Sequence, residues 1–409
     1  MKKLITLLLQ FPFCLIFSQQ TLGCKCIQFE KLKDSLSSSH FPFRPVTEQE
    51  ALTPPFQYIS VKYIKQNAHS KNIIDPVKQR TKDLPYDNFD AIYAIRQEEF
   101  DKKVSDIPIP LIVKTGQLNG TVAILYTTDS FLSNDYYLRI SKDNGKTWKN
   151  YFTGLVANQH YFLKSNSGYP LWKDENHLQI EADITRMTQH HVYGASPEYA
   201  IVKDNALLTF DLSEILKDSD GDGINDIEEN RKLFTNPYSK DTDGDGISDA
   251  EDNNPKYKTP ENDFTKLLQG IMYGNYNITV HQNPFHEEFF IPLATFKEDL
   301  KKQREELPER KKDFVYSLDY RIIVTDDENL KGMEPIDEKI IFLTSKEYAE
   351  YSKFNYMNRF KTYYSKIFRC DDKKDTYIFM IEGTTTGLTY LIKRTAEGWK
   401  VDIINHWMS

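Results

Sequence analysis

Two twelve-residue segments, 218–229 and 241–252, constrain this 409-residue chain more than any other feature. The first carries Asp218, Asp220, Asp222, Asp226 and Glu229, and the second Asp241, Asp243, Asp245, Asp249 and Asp252, at matching positions 1, 3, 5, 9 and 12. Gly223 and Gly246 hold position 6 of each. Five carboxylates within twelve residues repel one another strongly unless a cation sits among them. Spacing of two along a tight loop turns successive carboxylates to one centre. The glycine permits the bend that brings round the backbone carbonyl of position 7, Ile224 or Ile247. An all-oxygen set of this kind suits calcium, a hard cation that takes 6–8 oxygens at ~2.3–2.6 Å and tolerates irregular geometry. The expectation is two calcium ions, one held by Asp218, Asp220, Asp222, Ile224, Asp226 and Glu229, the other by Asp241, Asp243, Asp245, Ile247, Asp249 and Asp252. Glu229 is long enough to close its loop with both oxygens, whereas Asp252 closes with a shorter reach or through water.

Helix-flanked calcium loops usually put an aliphatic residue at position 8, but here that position is Asn225 or Ser248. The second loop also follows Asn236-Pro237-Tyr238-Ser239, where no entering helix is expected. The pattern resembles the thrombospondin type 3 repeat, Asp-x-Asp-x-Asp-Gly-x-x-Asp-x-x-Asp, over 218–255. Asn253-Asn254-Pro255 stands where the animal form often has Asn-Cys-Pro, which resembles the bacterial form instead. The resemblance implies a calcium-binding module that connects other modules of a secreted or surface protein. The segment's few apolar residues, Ile224, Ile227, Leu233, Phe234 and Ile247, are too few to fold it alone, so metal binding is expected to supply its folding energy.

The first residues read as an export signal. Lys2 and Lys3 precede the largely apolar run Leu4–Phe17, too short for a bilayer-spanning helix, and Ser18 offers a small residue at the cut. The expected mature chain is therefore secreted, periplasmic or on the cell surface, with no transmembrane segment. An alternative cut before Cys24 makes it a lipoprotein. Of four cysteines, Cys14 leaves with the signal; Cys24, Cys26 and Cys370 allow one bridge from Cys370 and leave one thiol. The formal charge of −8 falls to about −10 without the two signal lysines, which argues against nucleic acid as a partner. With 25 Tyr and 25 Phe the chain is too rich in aromatics for a disordered protein.

The expected organisation is multidomain: a signal peptide (1–18), a partly helical arm (19–104), a β-rich domain (105–212), the calcium-loop module (213–256) and an α+β domain (257–409). In the arm, Pro42–Pro55 reads as loop and Asp87–Lys103 as helix. Short runs at Leu111–Val113, Thr121–Tyr126, Tyr136–Ile140, Trp148–Phe152, His177–Ala182, Ala200–Lys203 and Leu207–Leu212 suggest a sandwich or small antiparallel sheet. In the last part, helices are expected at Phe264–Leu268, Phe296–Glu306 and Lys346–Phe368. Strands are expected at Tyr320–Val324, Lys339–Leu343, Tyr377–Glu382, Thr389–Arg394 and Lys400–Ile404, in a curved antiparallel sheet with a turn at Glu397-Gly398.

Ser141-Lys-Asp143-Asn-Gly145-Lys-Thr147-Trp148 resembles the Asp box of sialidases and other β-propellers. In that family it is a structural hairpin, and a propeller needs several such boxes where this chain has one. His190-His191 and His281…His286-Glu287-Glu288 lack the spacing that puts two ligands on one helix face; the second reads as a loop after Pro284. No nucleophile elbow, phosphate loop or dinucleotide fingerprint is present, and no catalytic residue is assigned. The leading expectation is a non-enzymatic, secreted calcium-binding protein whose tandem loops stiffen the joint between two domains. Its general role would be binding or adhesion, with a protein or glycan ligand for the flanking domains. The alternative is a secreted hydrolase or toxin with its site in 257–409.

Overall fold

A computed structural model describes residues 46–65, 89–128, 135–156, 161–189, 198–259, 262–273, 279–280, 287–293, 302, 320–336, 338–354, 362–383 and 386–408. The export signal, Cys24 and Cys26, the His190-His191 pair, His281, His286 and all but one residue of Phe296–Glu306 lie outside them.

The chain enters through a short helix, α1 (Glu48–Leu52), inside the stretch read as Pro-rich loop. Thr47 and Glu50 form a reciprocal capping box that satisfies the helix's first amides, and this local closure outweighs the flanking prolines. Strand β1 (Ile59–Tyr63) and helix α2 (Phe89–Phe100) follow, with the small hairpin β2 (Lys103–Val104) and β3 (Ile107–Pro108). A four-stranded antiparallel sheet comes next: β4 (Ile112–Leu118), β5 (Thr121–Thr127), β6 (Asp135–Ser141) and β7 (Lys149–Val156), in that spatial order. Ahead of the edge strand β4, Pro108 ends β3 and Pro110 lies in a 3-10 turn (Ile109–Leu111), so neither interrupts the ladder of this sheet.

Strands β8 (Tyr161–Leu163), β9 (Trp172–Asp174), β10 (His177–Gln189) and β11 (Glu198–Asp211) build a second antiparallel sheet, and β1 pairs along β11 in it. The two runs expected at Ala200–Lys203 and Leu207–Leu212 are one long strand, with Leu212 passing into helix α3 (Leu212–Ile215). The polar break at Asp204-Asn205 is accommodated because β11 is held along its length by β10, across bulges. Both sheets share one core: Leu178, Ile180, Ala182 and Ile184 on β10 pack with Ile124, Tyr126 and Leu138 of the first sheet.

The acidic segment contains α4 (Asp226–Glu228) and a π-turn at Glu229–Leu233 that Phe234 closes in the left-handed region (φ 57°). Helix α5 (Asp263–Tyr273) leads into a nine-stranded sheet formed by β12 (Thr279–Val280), β13 (Glu287–Pro292), β14 (Arg321–Val324), β15 (Ile340–Leu343), β16 (Thr362–Tyr364), β17 (Phe368–Arg369), β18 (Thr376–Glu382), β19 (Thr386–Arg394) and β20 (Gly398–Met408). Helices α6 (Glu328–Lys331) and α7 (Ser345–Phe354) lie between its strands in the chain. The spatial order is 12-13-20-19-18-16-14-15, with β17 beside β18.

Three expectations fail in this part. The sheet is mixed, because β14 runs parallel to both β15 and β16. Of the helix expected over Lys346–Phe368, the described residues up to Phe354 are helical, but Thr362–Tyr364 and Phe368 belong to strands β16 and β17. Tyr363 and Tyr364 are both buried, one in each of the two cores flanking the sheet, so an internal strand position overrides the helical spacing of the aromatic stripe. The third is the stretch read as loop after Pro284, which becomes β13 from Glu287 on, pairing with β20. Cys370 is buried and disulfide-bonded, one of the arrangements the cysteines allow, and its partner lies outside the described residues.

The acidic segment touches both parts of the structure. Ile227 joins the core of the first two sheets, while Ile224 and Leu233 join the core on one side of the large sheet. The segment thus has hydrophobic anchorage that its own composition does not supply, and metal is not its sole source of folding energy. Gly154 on β7 lies at this seam with φ +78°, where a Cβ would stand 2.2 Å from the Tyr58 hydroxyl and 3.3 Å from Ile227. Tyr58 donates to the carbonyl of the adjoining Thr153. Gly154→Ala is expected to destabilise the protein by about 2 kcal/mol or more, through steric overlap and a left-handed backbone that alanine disfavours. Urea unfolding checks this; a loss below about 0.5 kcal/mol would contradict the assigned seam.

Candidate metal centre

Each acidic loop is wound by two left-handed glycines, at positions 4 and 6: Gly221 (φ 75°) and Gly223 (φ 106°), then Gly244 (φ 76°) and Gly246 (φ 99°). The sequence reading used only the second of each pair, although position 4 is glycine in both loops. The turns are held by carboxylates that accept from backbone amides. Asp218 accepts from the amides of Gly221 (2.7 Å) and Gly223 (3.2 Å), and Asp241 from those of Gly244 (2.7 Å) and Gly246 (2.9 Å). Asp220 and Asp243 accept from the amides of Asp222 and Asp245 at 3.0 Å. Asp222 and Asp245 accept from those of Ile224 and Ile247 at 2.8 Å.

These bonds aim the remaining oxygens inward. Carboxylate oxygens of Asp218, Asp220 and Asp222 lie within 4.8 Å of one another, and so do those of Asp241, Asp243 and Asp245. Asp220 Oδ2 and Asp243 Oδ2 are buried with no hydrogen-bond partner, and so is Glu229 Oε2. Glu229 is fully buried; its other oxygen accepts from the Thr235 hydroxyl at 3.2 Å. A buried carboxylate oxygen without a donor is costly, and a cation is the partner that removes the cost. Position 7 differs between the loops: the Ile224 side chain enters the core, whereas Ile247 is exposed.

Position 9 has an additional task. Asp226 accepts from the Ser219 amide and hydroxyl (both 2.8 Å), and Asp249 from the Thr242 amide (2.9 Å) and hydroxyl (2.6 Å). Their own amides donate to the carbonyls of Lys217 and Lys240, which precede each loop. These two aspartates clasp the loops shut, and Lys217 pairs with Asp226 at 3.0 Å. A hydroxyl residue at position 2 of both loops was the signal for this clasp. The loops also touch: Asp222 Oδ2 accepts from the Ala250 amide at 3.1 Å, and the charge on Asp249 reaches Glu229.

Crowding and burial show in the proton affinities. Burial, then the charges of Asp220 and Asp222, push Glu229 from the ordinary 4.5 up to about 8. Burial first, with Asp245 and Asp252 adding repulsion, takes Asp243 up to about 6. Asp222, Asp249 and Asp252 are also raised, burial being the largest cause for each. Asp241 is lowered, chiefly by the Gly246 amide. A raised carboxyl favours folding fully only below its ordinary value and loses that contribution as pH rises through the shifted one. Without metal, Glu229 therefore weakens the fold as pH climbs from about 4.5 toward about 8.

Several residues outside the twelve-residue pattern seat the loops. Asn225, at position 8, donates to the carbonyls of Phe152 and Ile215 (2.9 Å each) and accepts from the Phe152 amide. Asn254 donates to the carbonyls of Lys331 (2.8 Å) and Met333 (3.1 Å). Glu228 accepts from the Tyr137 hydroxyl at 2.7 Å and the Tyr320 hydroxyl at 2.8 Å. Lys232 pairs with Asp135 at 2.6 Å and lies over the Tyr320 ring, and Lys339 donates to the carbonyls of Asp249 and Ala250. Nothing in a local motif announces these long-range partners. At 141–148 the Asp box is a hairpin turn, as its residues imply: Asp143 accepts from the Lys146 and Thr147 amides, and Trp148 donates to the Gly145 carbonyl.

Residues 218–237 and 241–251 match the family model of the bacterial TSP3 repeat. Comparison with curated proteins and with solved structures yields no match. The repeat is of the calcium-binding type, typical of extracellular and periplasmic proteins, and the two Asp groups can hold a metal ion. Among the described residues no helix is long and apolar enough to cross a membrane.

A carboxyl that holds its proton at neutral pH must release it when a cation binds. Calcium titration at pH 7 is expected to release about one proton per chain, read as a dependence of the binding heat on buffer ionisation. Glu229→Gln should abolish that dependence and weaken one site. Binding heats that are the same in all buffers would contradict the inward-facing role of Glu229.

Proposed function

We propose that this chain binds two calcium ions, one per loop, and that the ions stiffen the joint between a β-rich domain and an α+β domain of a secreted protein. One observation carries the reading. Glu229, which has a buried oxygen without a partner and is opposed by the charges of Asp220 and Asp222 in the first loop, adjoins Glu228, which accepts from Tyr137 of the first sheet and Tyr320 of the large sheet. Ligand and latch are consecutive residues, so an ion that fixes Glu229 fixes the carboxylate that both sides share. In this arrangement Asp218, Asp220, Asp222 and Glu229 hold the first ion and Asp241, Asp243, Asp245 and Asp252 the second. The carbonyls of Ile224 and Ile247 complete the shells, and Asp226 and Asp249 keep the loops closed. Calcium supplies the positive charge that these carboxylates otherwise lack.

Calcium loops of extracellular modules have dissociation constants of ~10⁻⁴–10⁻³ M. At about 1 mM calcium and a Kd of about 0.1 mM, each site stabilises the folded module by about 1.4 kcal/mol. That is enough to set how often the joint opens without being required for the flanking cores. The general role proposed for such a protein is binding or adhesion, in which the joint sets how the two domains present their surfaces.

Two variants separate the ion from the latch. Asp220→Ala/Asp243→Ala should lose both calcium sites and become protease-sensitive within 213–256 even in calcium. Glu228→Gln should keep both sites in calorimetry yet show increased cleavage there. Unchanged protease sensitivity in chelator, for the wild type, would sink the structural role.

A further inference from the structure

The two faces of the nine-stranded sheet are covered differently. One face packs on α5 through Leu267, Leu268, Ile392, Trp399 and Val401. The other is covered by the acidic module and α7 over β14, β15, β16 and β18, where Ile224, Leu233, Tyr348 and Tyr351 lie. Across β19, β20 and β13 that second face carries charge instead. Cross-strand partners share a face, so Thr376, Lys393, Lys400 and Phe290 form one row across four strands, and Leu391, Asp402 and Glu288 the next.

A cleft of about 550 Å³ lies over this patch, and Lys373, Lys374, Lys393, Arg394 and Lys400 line it. Arg394 is committed to Asp263 (2.8 Å) and Lys400 to Glu288. Lys373, Lys374 and Lys393 have no acidic partner among the described residues, and both Lys373 and Lys393 are exposed. Lys393 also stands directly opposite Lys400 in the ladder, where like charges cost stability. Five cations line the cleft against three carboxylates, a local excess of positive charge on an otherwise acidic chain that favours an anion.

The remaining groups narrow the anion's class. Lys393 and Lys400 stand on neighbouring strands about 4.8 Å apart, and Lys373 and Lys374 lie on the turn that leads into β18, so the cations form an extended array that suits charges repeated along a chain. The cleft also holds the carboxylates of Glu288, Asp375 and Asp402, acceptors for hydroxyl groups. Phe290 does not line the cleft, but it lies directly across from the lining residue Lys400 and offers an exposed ring face beside it. Cations, carboxylate acceptors and an aromatic face together fit an acidic sugar. We propose that this cleft binds an anionic glycan, with sulfate or carboxylate groups on Lys373, Lys374 and Lys393, hydroxyls on the carboxylates, and a sugar ring against Phe290. A nucleic acid fits less well, because the lining carboxylates oppose a phosphodiester chain that has few hydroxyls to offer them. The inference stands on the C-terminal sheet and does not rest on the calcium reading.

The test titrates the full-length mature chain with a short heparin oligosaccharide, in chelator and again in calcium. An uncharged dextran oligosaccharide, an oligothymidylate of equal charge and phosphatidylserine vesicles are run in parallel. Binding of the sulfated sugar is expected without calcium, weakening as salt rises. Lys373→Ala/Lys393→Ala and Phe290→Ala should each weaken it by about tenfold or more, the former by removing two paired charges. Lys142→Ala/Lys146→Ala, on the exposed hairpin of the first sheet, should leave it unchanged, and thermal melts establish that the variants fold. No binding at low salt, equal binding by the lysine variant, or tighter binding of oligothymidylate or vesicles would each overturn the assignment.

Discussion

Two adjacent buried glutamates, Glu228 and Glu229, set the electrostatic constraint that the acidic segment must meet. A carboxylate removed from water needs donors or a cation. Glu228 has donors, the Tyr137 and Tyr320 hydroxyls, and they come from different sheets. Glu229 has one donor, Thr235, and an oxygen that no group of the protein satisfies among the described residues. The placement of both sheets around the acidic segment follows from meeting the first need. The charges of Asp220 and Asp222 acting on Glu229 make the second need acute, and a cation resolves it. Lys232, beside Asp135, Tyr137 and Tyr320, adds a buried positive charge at the same seam.

The loops are economical in how they divide labour among identical residue types. Of the aspartates in each loop, some hold the backbone, some face the centre, and the ninth clasps the loop to its own start. Glycine at positions 4 and 6 supplies the left-handed turns that make all three tasks compatible. Contact between the loops, through the Asp222–Ala250 bond, means that neither is an independent bead on a string.

Much of the candidate site was legible in the sequence because its partners are local. Carboxylates two residues apart, and amides within the same turn, are fixed by spacing alone. Most strands of the first two sheets were legible too, since their alternation survives in short runs such as Tyr136–Ile140, but β1, β8 and β9 were not, being short or far from their partners in the chain. Residues acting across the chain were not legible: Asn225 reaching Phe152, Asn254 reaching Met333, and Glu228 reaching Tyr320 depend on how the sheets are placed. The same holds for Tyr363 and Tyr364, whose helical spacing yields to an internal strand position. The parallel pairing of β14 leaves no mark in any one segment either, because parallel neighbours are distant in the chain.

Hydrogen exchange followed by mass spectrometry, in calcium and in chelator, tests the central claim most directly. If the ions hold the joint, chelator should raise exchange across 218–256 and at its contacts near Tyr137, Phe152 and Tyr320. The paired strands β10 and β11, held to each other along their length, should stay protected. Exchange confined to the loops, with the contacts on both sheets unchanged, would contradict the coupling of ion and joint.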